Sequence, residues 1–320
     1  VDGRRTLRVA WAALLIGAVA FPLVVENPYL VSVAVTAYVT AIAVYGLDVL
    51  LGYTGQLSLA HAGFFGVGGY TVAILTAEHD FSFWVALPVG LAVTSLLAHL
   101  IGLAALRTRH DYFAIFTLAV GVMIVIVIDR WESVTGGTDG LIGIPRPTPV
   151  GPLRFESLTA QYYLVLAFLV FTVYVVWSVA RSLVGRTFVA VRNSEELARA
   201  VGIDAGRTYQ LAFVIAATLA GLGGALYAVF LGYIGPAMAN VQMTFMMLVY
   251  LMIGGVASLA GPLIGTLLVM GLMQALQAFD EYQTMALGPI LVLVIVFFPH
   301  GLAGAARKLI SRFGAPPGVR

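Results

Sequence analysis

Asp48, Gln56, Ser58 and His61 sit together in DVLLGYTGQLSLAH, a polar cluster set in otherwise apolar sequence. A carboxyl group and an imidazole this near in the chain can hand on a proton. With an amide and a hydroxyl beside them, they can also line a solute path. Each ionisable group inside an apolar span costs on the order of a few kcal/mol unless it is satisfied, so the same residues can equally form a self-satisfying polar knot at the cytoplasmic end of the second apolar run. A second candidate lies in GGVASLAGPLIG, with Gly254, Gly255 and Ser258. A helix broken here would expose backbone N–H and C=O groups, which can bind a zwitterion without buried charges.

Other chemistry finds no residues to carry it. The sequence has no GxxxxGK[ST] for cradling nucleotide phosphates, no HExxH and no GxSxG. It has no cysteine, which excludes disulfides, thiolate zinc sites and thiol nucleophiles. His61, His79, His99, His110 and His300 are scattered without metal-ligand spacing. His99, near the end of the fourth apolar run, reads as a lone imidazole donating to a carbonyl of a neighbouring helix. A membrane enzyme would need a clustered catalytic constellation, and none is visible.

The stretch RNSEELARAVGID at 192–204 is unlike its surroundings. Ser194 can cap a helix whose first turn holds Glu195 and Glu196, favoured by the helix dipole, and Gly202 supplies a stop. Leu197 and Val201 fall four apart on one face, with Arg199 pointing elsewhere. Such a helix docks into a groove on a soluble partner or lies on lipid headgroups held by arginine. Spacing alone does not choose between these.

The elements that must position these groups follow from composition. The chain is 61% hydrophobic and 10% charged over 320 residues, with a mean hydropathy of +0.99. That leaves too little polar surface for a water-soluble fold. Ten apolar runs, near 7–25, 31–51, 57–76, 83–106, 112–128, 162–180, 209–231, 241–257, 262–279 and 284–299, are long enough to cross a bilayer as helices. The basic flank and apolar run of RRTLRVAWAALLIGAVAF read as a first transmembrane helix rather than a signal peptide, because no small-residue cleavage pattern follows. The third and ninth runs are glycine-rich and are expected to contain broken or re-entrant helix. Small residues four apart, Ala62 with Gly66, Ala217 with Gly221, Gly254 with Ser258 and Gly261 with Gly265, let helix backbones approach closely, and this packing role is sufficient for them.

Charge placement tests this count. With the N-terminus inside, Arg4, Arg5, Arg8, Arg107, Arg109, Arg181, Arg186, Arg192, Arg199, Arg207, Arg307, Lys308, Arg312 and Arg320 fall on the cytoplasmic side, fourteen of the 17 basic residues. Arg130, Arg146 and Arg154 fall outside, along with most of the acidic residues. Both termini and 192–204 are therefore expected in the cytoplasm. The one long outside segment, 129–161, carries TGGTDGLIGIPRPTPVGP, and its glycine and proline density predicts an ordered loop of turns rather than a helix. It can cap the pathway, meet a partner or simply connect two helices.

Several stretches together carry a resemblance. Glu196, Ala198 and Gly202 match the E-x-A-x-x-x-G core of the EAA loop of ABC importer permeases. GYTGQLSLAHAGFFGVGGYT, LRTRHDYFAIFTLAVG, TGGTDGLIGIP, GRTFVAVRNSEELARAVGID, LAGLGGALYA and GGVASLAGPLIG, in this order, resemble the LivM-type permease of branched-chain amino acid transport systems. The resemblance runs from about Asp48 to Gly265. Asp48 departs from it, standing where a neutral Asn is expected, and Ser194-Glu195 replaces a more usual Asn-Glu.

The resemblance implies an all-α polytopic permease, one transmembrane domain over 1–308 with a coupling loop at about 181–208 and a tail at 309–320, in a bacterial or archaeal cytoplasmic membrane. It implies a homologous LivH-type second permease, two cytoplasmic ATP-binding subunits and an extracytoplasmic substrate-binding protein, with no nucleic acid. It implies no cofactor in this chain, since ATP and Mg would be bound by the ATPase subunits. Glu195, Glu196, Ala198 and Gly202 would couple to the ATPases, with Gly202 limiting how closely helix and ATPase approach. Gln56, Ser58, His61, Asp48, Gly254, Gly255 and Ser258 would face the solute, which the resemblance makes leucine, isoleucine or valine, with urea, amides or aromatic acids as the alternatives. A proton-coupled secondary transporter using Asp48 and His61 is the competing class.

Overall fold

A computed structural model of the chain describes residues 2–106, 110–276, 301 and 304. Its helices are α1 (Asp2–Val24), α2 (Pro28–Leu47), α3 (His61–Ala77), α4 (Phe83–Ala105), α5 (His110–Arg130), α6 (Glu132–Thr135), α7 (Leu158–Arg181), α8 (Leu183–Asn193), α9 (Glu195–Ala200), α10 (Ala205–Leu231), α11 (Val241–Gly254) and α12 (Gly261–Leu276). Nine of the ten expected apolar runs coincide with helices; the tenth, 284–299, and the tail at 309–320 lie outside the described residues. Among the described residues, five helical stretches are long and apolar enough to cross a membrane: Pro28–Gly52, Phe83–Ala105, Tyr112–Arg130, Leu158–Arg181 and Ala205–Leu231. The chain is an α-helical membrane protein.

The helices start where short polar residues catch the free N–H groups of a first turn. The Asn27 side chain accepts from Tyr29 N with Pro28 behind it, Ser82 from Trp84 N, Ser157 from Ala160 N, and Asp204 from Arg207 N. α1 contains Pro22, which has no N–H to give the carbonyl four residues back. The Tyr162 hydroxyl of α7 donates to that carbonyl, Ala18 O, at 2.6 Å, and Tyr163 donates to Val19 O at 2.9 Å. Having spent its proton, the Tyr162 oxygen accepts from Tyr38 of α2 at 3.1 Å.

α2 and α10 run through the centre, with α3 and α4 packed on α10. Glycine makes this possible. A Cβ at Gly224 would stand 1.8 Å from Phe65 O, one at Gly68 2.3 Å from Gly221 O, and one at Gly46 2.4 Å from Ala216 O. Among the small-residue pairs, Gly261 and Gly265 seal α12 against α11: Cβ atoms there would lie 2.0 Å from Gly255 O and 1.9 Å from Tyr250 O.

The two ends of the bundle differ in charge and in covering. At one end, Arg181 lies 4.6 Å over the Trp177 ring, which stacks with Tyr174, and the chain from there carries Arg186, Arg192, Arg199 and Arg207, an aromatic and basic set of the kind found at a membrane interface. At the other, the segment 129–161 folds over helix ends. This segment adds a short ladder to the helical bundle: Leu141–Ile142 (β1) pairs antiparallel with Tyr233–Ile234 (β2), because the loop's backbone needs partners where it crosses the end of α10. The same segment holds the single-turn α6 as well as turns, with Gly136, Gly137, Gly140 and Gly143 at positive φ.

Candidate functional site

Both glycine-rich runs are interrupted helices, and the interruptions meet. α2 continues into one π-helical turn, Asp48–Gly52, and helix ends altogether over residues 55–60 before α3 begins. A π-turn inserts an extra residue into the ladder and is enriched at functional sites. α11 and α12 are separated by residues 255–260. Asp48 is fully buried, and its Oδ1 accepts from Ala257 N at 2.7 Å with the Ser258 backbone N–H alongside. Ala257 has φ +54, left-handed backbone that a side chain disfavours, and consecutive N–H groups turned this way form an anion-holding nest. Asp48 Oδ2 has no hydrogen-bond partner. Tyr45, one turn earlier, donates to Leu259 O at 2.6 Å.

The other predicted groups divide between this junction and its neighbours. His61 opens α3, but its ring turns to α2, where Nε2 donates to Ala43 O at 2.8 Å. Ala62 N donates to Thr244 Oγ1 at 3.0 Å and Leu59 N to Thr117 Oγ1 at 3.0 Å, so the first interruption is stitched to α11 and α5 by threonines. Ser58 is buried and accepts from Ala60 N at 3.4 Å. Ser258 Oγ accepts from Gly261 N at 3.2 Å and so caps α12. A Cβ on Gly254 would meet Gly261 O at 1.9 Å, and one on Gly301 would meet the Gly255 Cα at 2.3 Å, so both glycines of this pair are in close backbone contact. The structure thus joins Asp48 to the 255–260 interruption and gives His61 separate partners. His99 accepts at Nδ1 from Gln210 Nε2 of α10 at 3.0 Å, rather than donating to a carbonyl.

Gln56 leads instead to the charged segment. It is buried and hydrogen-bonds the Tyr209 hydroxyl, which donates to Glu195 Oε2 at 3.2 Å. Glu195 also pairs with Arg199. α9 starts at Ser194, whose Oγ accepts from Leu197 N at 3.2 Å. It ends in a left-handed stop: Gly202 has φ +88, its N–H reaches Arg199 O at 3.0 Å, and Ile203 N reaches Ala198 O at 3.0 Å. These two bonds are those of a Schellman motif, and Ile203 makes the apolar contact that goes with it. Ala198 is 3% exposed and packs on Val191, Ala205 and Tyr209, while Leu197 and Val201 are 66% and 70% exposed. Glu196 and Gly202 are exposed too, and a Cβ on Gly202 would meet nothing within 4 Å. One face of α9 is therefore fixed to the bundle and the other offers two bare apolar side chains.

Sequence reasoning did not single out Tyr45, Arg192, Tyr209, Thr244 or Ala257. Arg192 donates to Gly52 O, and its stem lies against Gly55. The only available signal was local: Tyr45 lies three residues before Asp48, on its face of α2.

Comparison with known proteins adds independent information. The family model described as branched-chain amino acid transport system / permease component matches residues 29–297. The high-affinity branched-chain amino acid transport system permease protein LivM of Salmonella typhimurium is 30% identical over 93% of this chain and 75% of its own length. LivM of Escherichia coli K12 is 29% identical over 96% of this chain and 77% of its own length. The LivH permease protein of Escherichia coli K12 is 25% identical over 82% of this chain and 91% of its own length. No solved structure gives a significant match.

Proposed function

Because this chain belongs to the branched-chain amino acid transport permease family, we propose that it is one of two permease subunits of an ATP-driven ABC importer for leucine, isoleucine or valine. In this reading the bundle has ten spans with both termini in the cytoplasm of a bacterial or archaeal cell. An extracytoplasmic binding protein delivers the solute, a LivH-type permease completes the channel, and two ATP-binding subunits bind ATP and Mg and supply the power stroke. This chain does no covalent chemistry; it alternates between outward and inward openings.

The observation that carries the reading is α9. A short helix, rigidly seated through Ala198 and closed by Gly202, presents Leu197, Val201 and Glu196 to the outside beside five arginines at 181–207. Exposed apolar knobs on a helix clamped at both ends suit a groove on a soluble protein, and the E-x-A-x-x-x-G pattern at Glu196, Ala198 and Gly202 suits an ATPase as that protein. A proton relay through Asp48 and His61 draws no support from the geometry, since the two side chains have different partners.

The test is reconstitution. The chain, its second permease, the ATPases and the binding protein are placed in proteoliposomes, and uptake of labelled leucine is measured with and without ATP. Uptake that needs ATP and both ATPases is expected. Uptake by this chain alone, driven by a proton gradient, would refute the proposal, and saturable uptake of urea or aromatic acids in place of leucine would reassign the solute.

A further inference from the structure

The charged segment and the two helix interruptions are physically connected, and Arg192 touches the π-turn that joins them directly. Gly52 ends the π-turn of α2, where the last carbonyls of a helix have no donor of their own. The Arg192 guanidinium, from the last turn of α8, donates to Gly52 O. It therefore stands at the carbonyl ends of two helices at once, where a cation is favoured. Its aliphatic stem is held as well, because a Cβ on Gly55 would come within 3.3 Å of Arg192 Cγ. Ser194, the cap of α9, is two residues further along.

From Gly52 the connection continues without a gap. Asp48 opens the same π-turn and grips Ala257 N at 2.7 Å, holding it in left-handed backbone. Gly52 itself is packed into this contact: a Cβ there would stand 2.1 Å from Asp48 Oδ1 and 2.8 Å from Ala257 N. Gly52 therefore cannot shift without disturbing both Asp48 and Ala257. A π-turn is an irregular turn found mostly at functional sites, and a strained residue persists only while its surroundings hold it, so release of this clasp would let the junction take a second arrangement. A second route from α9 into the bundle runs through Ala198 and Tyr209 to α10 and Gln56.

We propose that Arg192 is a positioning residue that transmits displacement of the α8–α9 segment to the paired interruptions, through Gly52, Asp48 and Ala257. This rests on the reading of α9 as the ATPase-coupling element and goes beyond it by naming where the displacement enters the membrane part. The guanidinium matters because Nη1 reaches Gly52 O while the stem lies against Gly55, whereas a lysine would offer a compact, rotating charge.

The test uses the complete reconstituted complex and compares R192Q and R192K with the parent, reading ATP hydrolysis and leucine uptake together. The ratio of solute moved to ATP hydrolysed is expected to fall roughly tenfold or more in R192Q and by a smaller factor in R192K, as expected when a charge-assisted hydrogen bond is lost or weakened. Amide exchange over 255–260 is expected to respond to ATP in the parent and to lose that response in R192Q. An unchanged ratio in R192Q would overturn the proposal. So would loss of hydrolysis and uptake in equal proportion in an assembled complex, since that places Arg192 at the docking step instead. Should R192Q not assemble, the R192K ratio decides by the same criterion. Failure of the underlying coupling reading looks different: the parent complex itself would then move leucine without ATPases.

Discussion

Gly202 separates docking from folding, because the structure gives a substitution there one conformational cost and no steric one. Its φ of +88 closes α9, and a Cβ would find nothing within 4 Å. An L side chain in this backbone region costs about 1–2 kcal/mol whatever its size, and the two closing bonds, Gly202 N to Arg199 O and Ile203 N to Ala198 O, can still form. G202A and G202W should therefore lower the apparent melting temperature of the solubilised protein by the same amount, about 2–6 °C. G202N, with a side chain that tolerates left-handed backbone, should lower it less. Uptake should not follow this order. If α9 seats in an ATPase groove, the indole occupies space that the partner needs, so G202W should abolish ATP-driven uptake while G202A retains most of it. Equal uptake by G202A and G202W would refute the docking of this surface. A much larger melting shift for the tryptophan variant would refute the open environment from which the magnitude is derived.

Three further outcomes follow from contacts inside the bundle. Y162F removes the donor from Ala18 O and the acceptor from Tyr38, which should cost about 1–3 kcal/mol. In a P22A background, where residue 22 regains an N–H for Ala18 O, the same change should cost about 1 kcal/mol less, and a double-mutant cycle of melting temperatures measures that difference. D48N keeps an acceptor for Ala257 N and replaces the unpartnered Oδ2, so its melting temperature should match or exceed the parent's. D48A strands that N–H and should lose about 1–3 kcal/mol; equal losses in both would show that the carboxylate charge itself is required. G224A forces a methyl toward Phe65 O, 1.8 Å from the ideal Cβ position, and should destabilise by about 1–3 kcal/mol or prevent insertion, as read from the yield of folded protein.

What the sequence revealed was local. Helices announce themselves by apolar runs about as long as a bilayer is thick. Ser194 and Gly202 were legible as start and stop because cap and capped group lie three residues apart. The two glycine-rich interruptions were visible as breaks, since glycine and proline punctuate any helix. Their meeting was not: Asp48 and Ala257 are 209 positions apart, and Gly52 and Arg192 140 apart. Neighbourhood in sequence even pointed the wrong way for one pair. His61 sits near Asp48 in the chain, but the interruption between them turns the imidazole back onto Ala43 O. The β1–β2 ladder was equally hidden, since two residues a side carry no alternation to read.

The kinds of contact in the bundle then say where movement can be located. α2, α3, α4 and α10 approach through glycine, with backbone against backbone: an added Cβ at Gly46, Gly68 or Gly224 would collide with a main-chain oxygen, and one at Gly221 with Thr94. α11 and α12 are sealed to each other in the same way through Gly254, Gly261 and Gly265. Contacts of this kind have no layer of side chains to repack, so they transmit displacement rather than absorb it. The joint between the two groups is different. Besides side-chain packing, it holds a carboxylate in a backbone nest and a tyrosine hydroxyl on Leu259 O, and a guanidinium from α8 sits beside them on Gly52 O. Each of these can exchange its partner without opening an apolar void. If the proposed alternating-access cycle holds, the junction of residues 48–60 with 255–260 is where this chain would bend, and the segment ending at Arg192 contacts that junction directly at Gly52.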